Sequence, residues 1–154
     1  MIHQTIQQLK IRRAKQILQQ EFGFLNIESI VHADDESGKV LFTAFRQSGI
    51  WHYDNQPIVS FAFDNHKQYH SQHNTARRFF IQKIKALHGN AVWILLNQHG
   101  FEFFVQISLS TLCQHLDGWF DKYDDFVLFI PNQYVLAIHD GEYAWEVLEK
   151  ILTP

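Results

Sequence analysis

Two apolar runs near the C-terminus, Phe126 to Ile130 and Tyr134 to Ile138, are separated only by Pro131-Asn132-Gln133. Each run has strand length, and three turn-forming residues between them read as a tight hairpin. Around this pair sit Asp117, Asp121, Asp124, Asp125, Asp140, Glu142, Glu146 and Glu149, against only Lys122 and Lys150. The result is a core element with an acidic coat, and the rest of the chain has to supply its cover.

The pattern upstream alternates between helical and extended periods. Ile2, Ile6, Leu9, Ala14, Ile17 and Leu18 recur at spacings near three and four, which predicts a helix over 2–21 with a stop at Gly23. Asp34-Asp35-Glu36-Ser37-Gly38 reads as a turn before a strand over 39–45, and Ile58 to Phe63 reads as another strand. The polar stretch from Asp64 to Asn74 reads as a loop or an exposed helical extension. Asn74 or Thr75 then caps a helix with Ala76, Phe80, Ile84 and Leu87 on its apolar stripe. Ala91 to Leu96 and Phe101 to Ile107 form a hairpin about Asn97-Gln98-His99-Gly100. Ser108 or Ser110 caps a third helix, and Glu142 to Leu152 reads as a last one. The expected fold is therefore a single α+β domain over residues 1–154. It has a mostly antiparallel sheet of about six strands with helices packed on one face, in the order α-β-β-α-β-β-α-β-β-α.

Composition narrows the function classes. The apolar fraction is 46%, with 14 Phe, 5 Tyr and 4 Trp, so disorder is excluded and an aromatic core is expected. No apolar run is long enough to span a bilayer, and no secretory leader pattern opens the sequence. The single Cys113 cannot form an internal disulfide, and the expected location is cytoplasmic. Cations collect on 66–88 and carboxylates on 117–150. The helix carrying Arg77, Arg78, Lys83 and Lys85 raises nucleic acid, but a pI near 6.3 argues against a dedicated nucleic-acid binder.

Chemistry-bearing candidates are few. His66, His70 and His73 are spaced four and three apart, so on a helix they share a face and could ligate zinc, nickel or copper, with Asp64 as a fourth ligand. Their Asn- and Gln-rich surroundings favour solvated side chains instead. His139-Asp140 stands at a strand end, where an acid–base pair could sit, although Asp140-Gly141 is more simply a turn. Asp124 and Asp125 point opposite ways if a strand has begun there, which favours structural over catalytic use. No nucleophile elbow, phosphate loop or dinucleotide fingerprint is present. Trp51-His52-Tyr53 reads as a strand segment, with a binding patch as the alternative.

The run Phe120-Asp121-Lys122-Tyr123-Asp124-Asp125-Phe126-Val127-Leu128-Phe129, followed by Tyr134 to Glu142, is similar to the C-terminal hairpin of small bacterial proteins of unknown function and of immunity-type proteins of polymorphic toxin systems. Such proteins carry an aspartate-rich turn, an apolar strand, and a second strand closing in a His-Asp or His-Glu step. Where they often have Trp in the second strand, this chain has Tyr134. The resemblance covers the C-terminal segment alone. It implies a compact cytosolic protein that binds and neutralises a cognate toxin without a cofactor, and it carries no catalytic residues over.

Two readings follow. In the first the chain is a non-catalytic binding module whose Asp121, Asp124, Asp125, Asp140 and Glu142 meet a basic protein, such as a nuclease toxin, with no membrane or cofactor involved. In the second it is a small metal-binding protein or hydrolase built on His66, His70 and His73 or on His139 and Asp140. A homodimer through an exposed sheet edge or the Trp51 region is a further alternative.

Overall fold

The computed structural model describes residues 2–25 and 27–152, the side chains of 2–4 and 24 excepted. Its frame is one antiparallel seven-stranded sheet. In chain order the elements are α1 (Ile2–Glu21), a 3-10 turn (Gly23–Leu25), β1 (Ser29–His32), α2 (Glu36–Gln47), β2 (Val59–Ala62) and α3 (His66–Lys85). They continue with β3 (Ala91–Gln98), β4 (Phe101–Ser108), α4 (Leu109–Gln114), α5 (Leu116–Lys122), β5 (Phe126–Ile130), β6 (Tyr134–Asp140) and β7 (Ala144–Ile151). Across the sheet the strands run β1-β4-β3-β5-β6-β7-β2.

Both hairpins foreseen from the sequence are present. β3 and β4 pair from Ala91↔Ser108 to Gln98↔Phe101, so His99 and Gly100 alone make the turn. Both have positive φ (52° and 84°), the conformation that matches a two-residue turn to the twist of its strands. β5 and β6 pair from Phe126↔Ile138 to Ile130↔Tyr134. The α+β class and the antiparallel sheet hold, while the strand count and order differ from expectation.

Alternation along the strands separates two apolar layers. Phe126, Leu128, Leu136, Ile138, Trp145 and Val147 face one side and pack under α1, α3, α4 and α5 through Leu18, Phe80, Leu112 and Trp119. Val127, Phe129, Val135, Ala137 and Leu148 face the other side, where Phe45 of α2 and Ile50 cover them. Helices therefore lie on both faces, a correction to the one-faced arrangement expected. The physical reason is that β5 and β6 are apolar on both sides and need cover on each. On α1 the expected stripe is only partly buried: Ala14 and Leu18 are in the core, while Ile6 and Leu9 stay half exposed.

Other expectations change for similar reasons. Residues 39–45 are the body of α2, not a strand. Leu41, Phe42 and Phe45 fall on one helical face against the second layer while Val40 is 70% exposed, and Asp35 and Glu36 sit at the helix start, where the dipole favours acids. The C-terminal segment is a strand rather than a helix. Trp145 and Val147 enter the first layer, Leu148 enters the second, and the segment supplies the ladder for the open edge of β6 from Tyr134↔Ile151 to Asp140↔Trp145. α3 begins eight or nine residues before Asn74 or Thr75. Asn65 is its cap, accepting from the Gln68 N–H at 3.0 Å, and the Gln68 side chain accepts from the Asp64 N–H at 2.7 Å. Ser108 does cap α4, accepting from the Thr111 N–H at 3.2 Å. Residues 50–53 belong to turns, not to a strand.

Gly38 shows how tightly α2 is seated. A Cβ at this position would lie 1.9 Å from the His32 carbonyl oxygen, which is backbone and cannot swing away. An exposed helical Gly→Ala change gains about 1 kcal/mol. Here overpacking of about 3 kcal/mol outweighs that gain. Gly38→Ala is expected to lower stability by about 2 kcal/mol, or roughly 4–8 °C in melting temperature, as read by thermal unfolding.

Candidate acidic binding end

The antiparallel register sends alternate termini of the strands to the same edge of the molecule. Asn97 pairs with Glu102 at the β3–β4 turn. The Ala33 N–H donates to the Glu102 carbonyl at 2.9 Å, which brings Asp34 and Asp35 after β1 to this end. β3 pairs with β5 so that Leu95 faces Val127, placing Asp124 and Asp125 level with Asn97. β6 ends at Asp140, Glu142 follows in the turn to β7, and the Phe63 N–H reaches the Tyr143 carbonyl at 3.0 Å, adding Asp64. Carboxylates that are scattered in sequence thus share one end of the sheet. At the opposite end Lys83 of α3 pairs with Glu149 at 2.7 Å.

Three of the sequence-nominated acids meet. The Asp140 N–H donates to Asp125 Oδ1 at 3.2 Å, and Tyr69 Oη donates to Asp140 Oδ2 at 2.9 Å. Asp124 lies close enough that its charge acts on both Tyr69 and Asp125. Glu142 stands beside Phe63, Tyr69 and Tyr143 in a neighbouring depression. Asp121 is exposed on α5 and joins none of these contacts among the described residues.

Titration follows from this crowding. Burial, the bond to Asp140 and the nearby negative charges push the Tyr69 hydroxyl up to about 12, so it serves as a fixed donor rather than a base. Burial also raises the Asp125 carboxyl. The Asp140 N–H and the His139 charge pull it back, the Asp140 and Asp124 charges push it further, and the net direction is up. An ionised Asp125 is therefore held at a cost.

The histidines separate. His66 and His70 Nε2 atoms lie 3.2 Å apart on the exposed side of α3. His73 turns inward, with its ring 4.1 Å from that of Trp145 and its Nε2 buried without a hydrogen-bond partner among the described residues. Among the described residues no three His, Cys, Asp or Glu side chains are placed together to hold a metal ion. His139 and Asp140 occupy opposite faces of β6. His139 Nε2 is 3.7 Å from Glu146 Oε1 across the ladder and its ring meets Trp51 edge-on at 5.1 Å, whereas Asp140 points to Tyr69. They form no acid–base dyad with each other.

A cleft of about 500 Å³ opens at the acidic end of the sheet. Trp51 lines it with Leu95 and Val127 of the second layer and Leu96, Tyr123 and Phe126 of the first, and Asn97, Glu102, Lys122, Asp124 and Asp125 supply its polar rim. Trp51 was legible only as an alternative binding patch, and Glu102 only as an outward residue of β4. Tyr69 gave no signal, because it sits in a polar stretch that shows no helical stripe. Compared with known proteins, the chain matches no family model, no curated protein and no solved structure. No helix among the described residues is long and apolar enough to cross a membrane.

Asp125 provides a test of the electrostatics. Its folded-state proton affinity is raised, so ionisation destabilises the fold above that pKa, and the penalty vanishes once the carboxyl is protonated in both states. Asp125→Asn keeps an oxygen for the Asp140 N–H but removes the charge. The variant is expected to melt slightly higher than the wild type at neutral pH. That difference should close as the pH falls below the ordinary carboxylate range.

Proposed function

We propose that this chain is a non-catalytic protein-binding module that meets a basic partner through the acidic end of its sheet. The observation that carries the reading is the register itself. It lines up Glu102, Asp124, Asp125, Asp140 and Glu142 at one end, while the ion pair Lys83–Glu149 lies at the other. None of Glu102, Asp124 and Asp125 is in a salt bridge among the described residues. Unneutralised carboxylates on one surface attract a cationic partner over about a Debye length, roughly 8–10 Å in physiological salt, and speed its association. An immunity-like role against a basic toxin fits this charge map, and Asp121 is a peripheral contributor to it.

Catalysis has less support. Tyr69 is a poor base, His73 turns away from the His66–His70 pair, and His139 is engaged with Glu146 and Trp51.

The double variant Asp124→Lys/Asp140→Lys reverses charge at two positions of the acidic end. Wild-type protein immobilised against a lysate of its source organism is expected to retain a basic protein at moderate salt and release it as salt rises. The double variant should retain at least about tenfold less, since two reversed charges at a partly screened surface are each worth about 1 kcal/mol. Equal retention by both folded proteins overturns the reading.

A further inference from the structure

We infer that the Trp51 cleft is a seat for a guanidinium group, the side chain of an arginine on the basic partner. The inference rests on the binding role proposed above and deepens it. Trp51 stands half exposed, at 48%, although it is large and apolar. Its loop is not loose. Ile50 is buried at 1%, the Asn55 amide donates to the Ile50 carbonyl at 2.9 Å, and the Gln56 amide donates to the Tyr53 carbonyl at 3.2 Å. The indole is further propped by the His139 ring. A rigidly presented indole beside carboxylates is what a planar cation uses, stacking on the ring while its N–H groups reach the acids.

Carboxylates line the same cleft as Trp51. Asp125 Oδ1 takes the Asp140 N–H, which orients the carboxylate. Glu102 and Asp124 stand on the same rim. Lys122 also lines the cleft, and its ammonium lies 5.2 Å over the Phe22 ring. Three carboxylates against one ammonium leave the cleft acidic, and the Trp51 indole lines it. Arginine suits it better than lysine, because the flat fork can stack and bond at once, whereas an ammonium offers a point charge. A volume of about 500 Å³ accommodates the side chain and part of its neighbour.

The probe is a blocked Gly-Arg-Gly peptide titrated into the full chain and followed by the indole N–H resonances in nitrogen-15 NMR. The Trp51 signal is assigned by its disappearance in Trp51→Phe. Saturable shifts of the Trp51 indole and of the Leu95 and Val127 amides support the seat. So do a binding constant several-fold weaker for the lysine peptide and the absence of shifts with the neutral citrulline peptide. Asp125→Asn should weaken the arginine peptide about tenfold while stabilising the free protein, a pair of opposite signs that a merely structural residue would not give. Citrulline or lysine peptides binding equally well, shifts centred elsewhere, or no shifts at all overturn the inference. The wider reading is separable. Partner retention that is lost in Asp124→Lys/Asp140→Lys but unchanged in Trp51→Ala overturns the seat and keeps the acidic end. Retention unchanged in the charge reversal overturns the acidic end, and the peptide titration then decides the cleft alone.

Discussion

Everything in this fold depends on a short ladder between β3 and β5. Three residue pairs, Trp93↔Phe129, Ile94↔Leu128 and Leu95↔Val127, join the β1-β4-β3 half of the sheet to the β5-β6-β7-β2 half. The remaining pairings are local or lie at the flanks. This one brings together strands separated by the β3–β4 hairpin, α4 and α5, so its loop closure has to be offset by burial. The burial is available on both sides: Ile94 and Leu128 lie in the first layer, and Phe129 lies in the second against Phe45 at 5.8 Å between rings. The same ladder sets Asn97 and Glu102 level with Asp125. Packing in the middle of the sheet thus decides which charges meet at its end.

The first layer is built largely from rings. Trp119 stacks on Phe22 at 4.2 Å and meets Phe126 edge-on at 5.8 Å, and Phe80 meets both Phe120 and Phe126. Such contacts add to the burial of large side chains and tie α3, α5 and the residue that follows α1 to the same strand. They also hold the acidic end in place. Tyr69, whose carbonyl accepts from the Trp145 indole at 3.0 Å, is fixed by the core on one side and bonds Asp140 on the other. A well-packed aromatic layer can carry crowded negative charge that would loosen a weaker fold.

The elements legible in the sequence were those with one period over enough residues. Phe101, Phe103, Val105 and Ile107 alternate with Glu102 and Gln106 and fit only a strand. The run 39–45 fits either template, because Val40 to Phe42 are contiguous and apolar. Only the need to cover Phe129 and Val135 from the second side selects the helix. Residues 144–151 are equally ambiguous, and the open edge of β6 decides them. The start of α3 was hidden for a different reason. Asn65 and Gln68 make a good cap, but the residues after them are polar, so the stripe that would announce a helix begins a turn or more later. Of the nominated acids, Asp124, Asp125 and Asp140 do meet, yet their partners Tyr69 and Trp51 come from distant segments that only the fold brings near.

The loop that presents Trp51 has a consequence for how such a protein diversifies. Its anchor, Ile50, is in the core, while His52, Tyr53 and Asp54 at its tip touch solvent and one another. Substitutions at the tip therefore leave the sheet, the ladder and both apolar layers untouched. The chemistry of this surface can therefore change through a few codons of the loop, with the folding problem already solved beneath it.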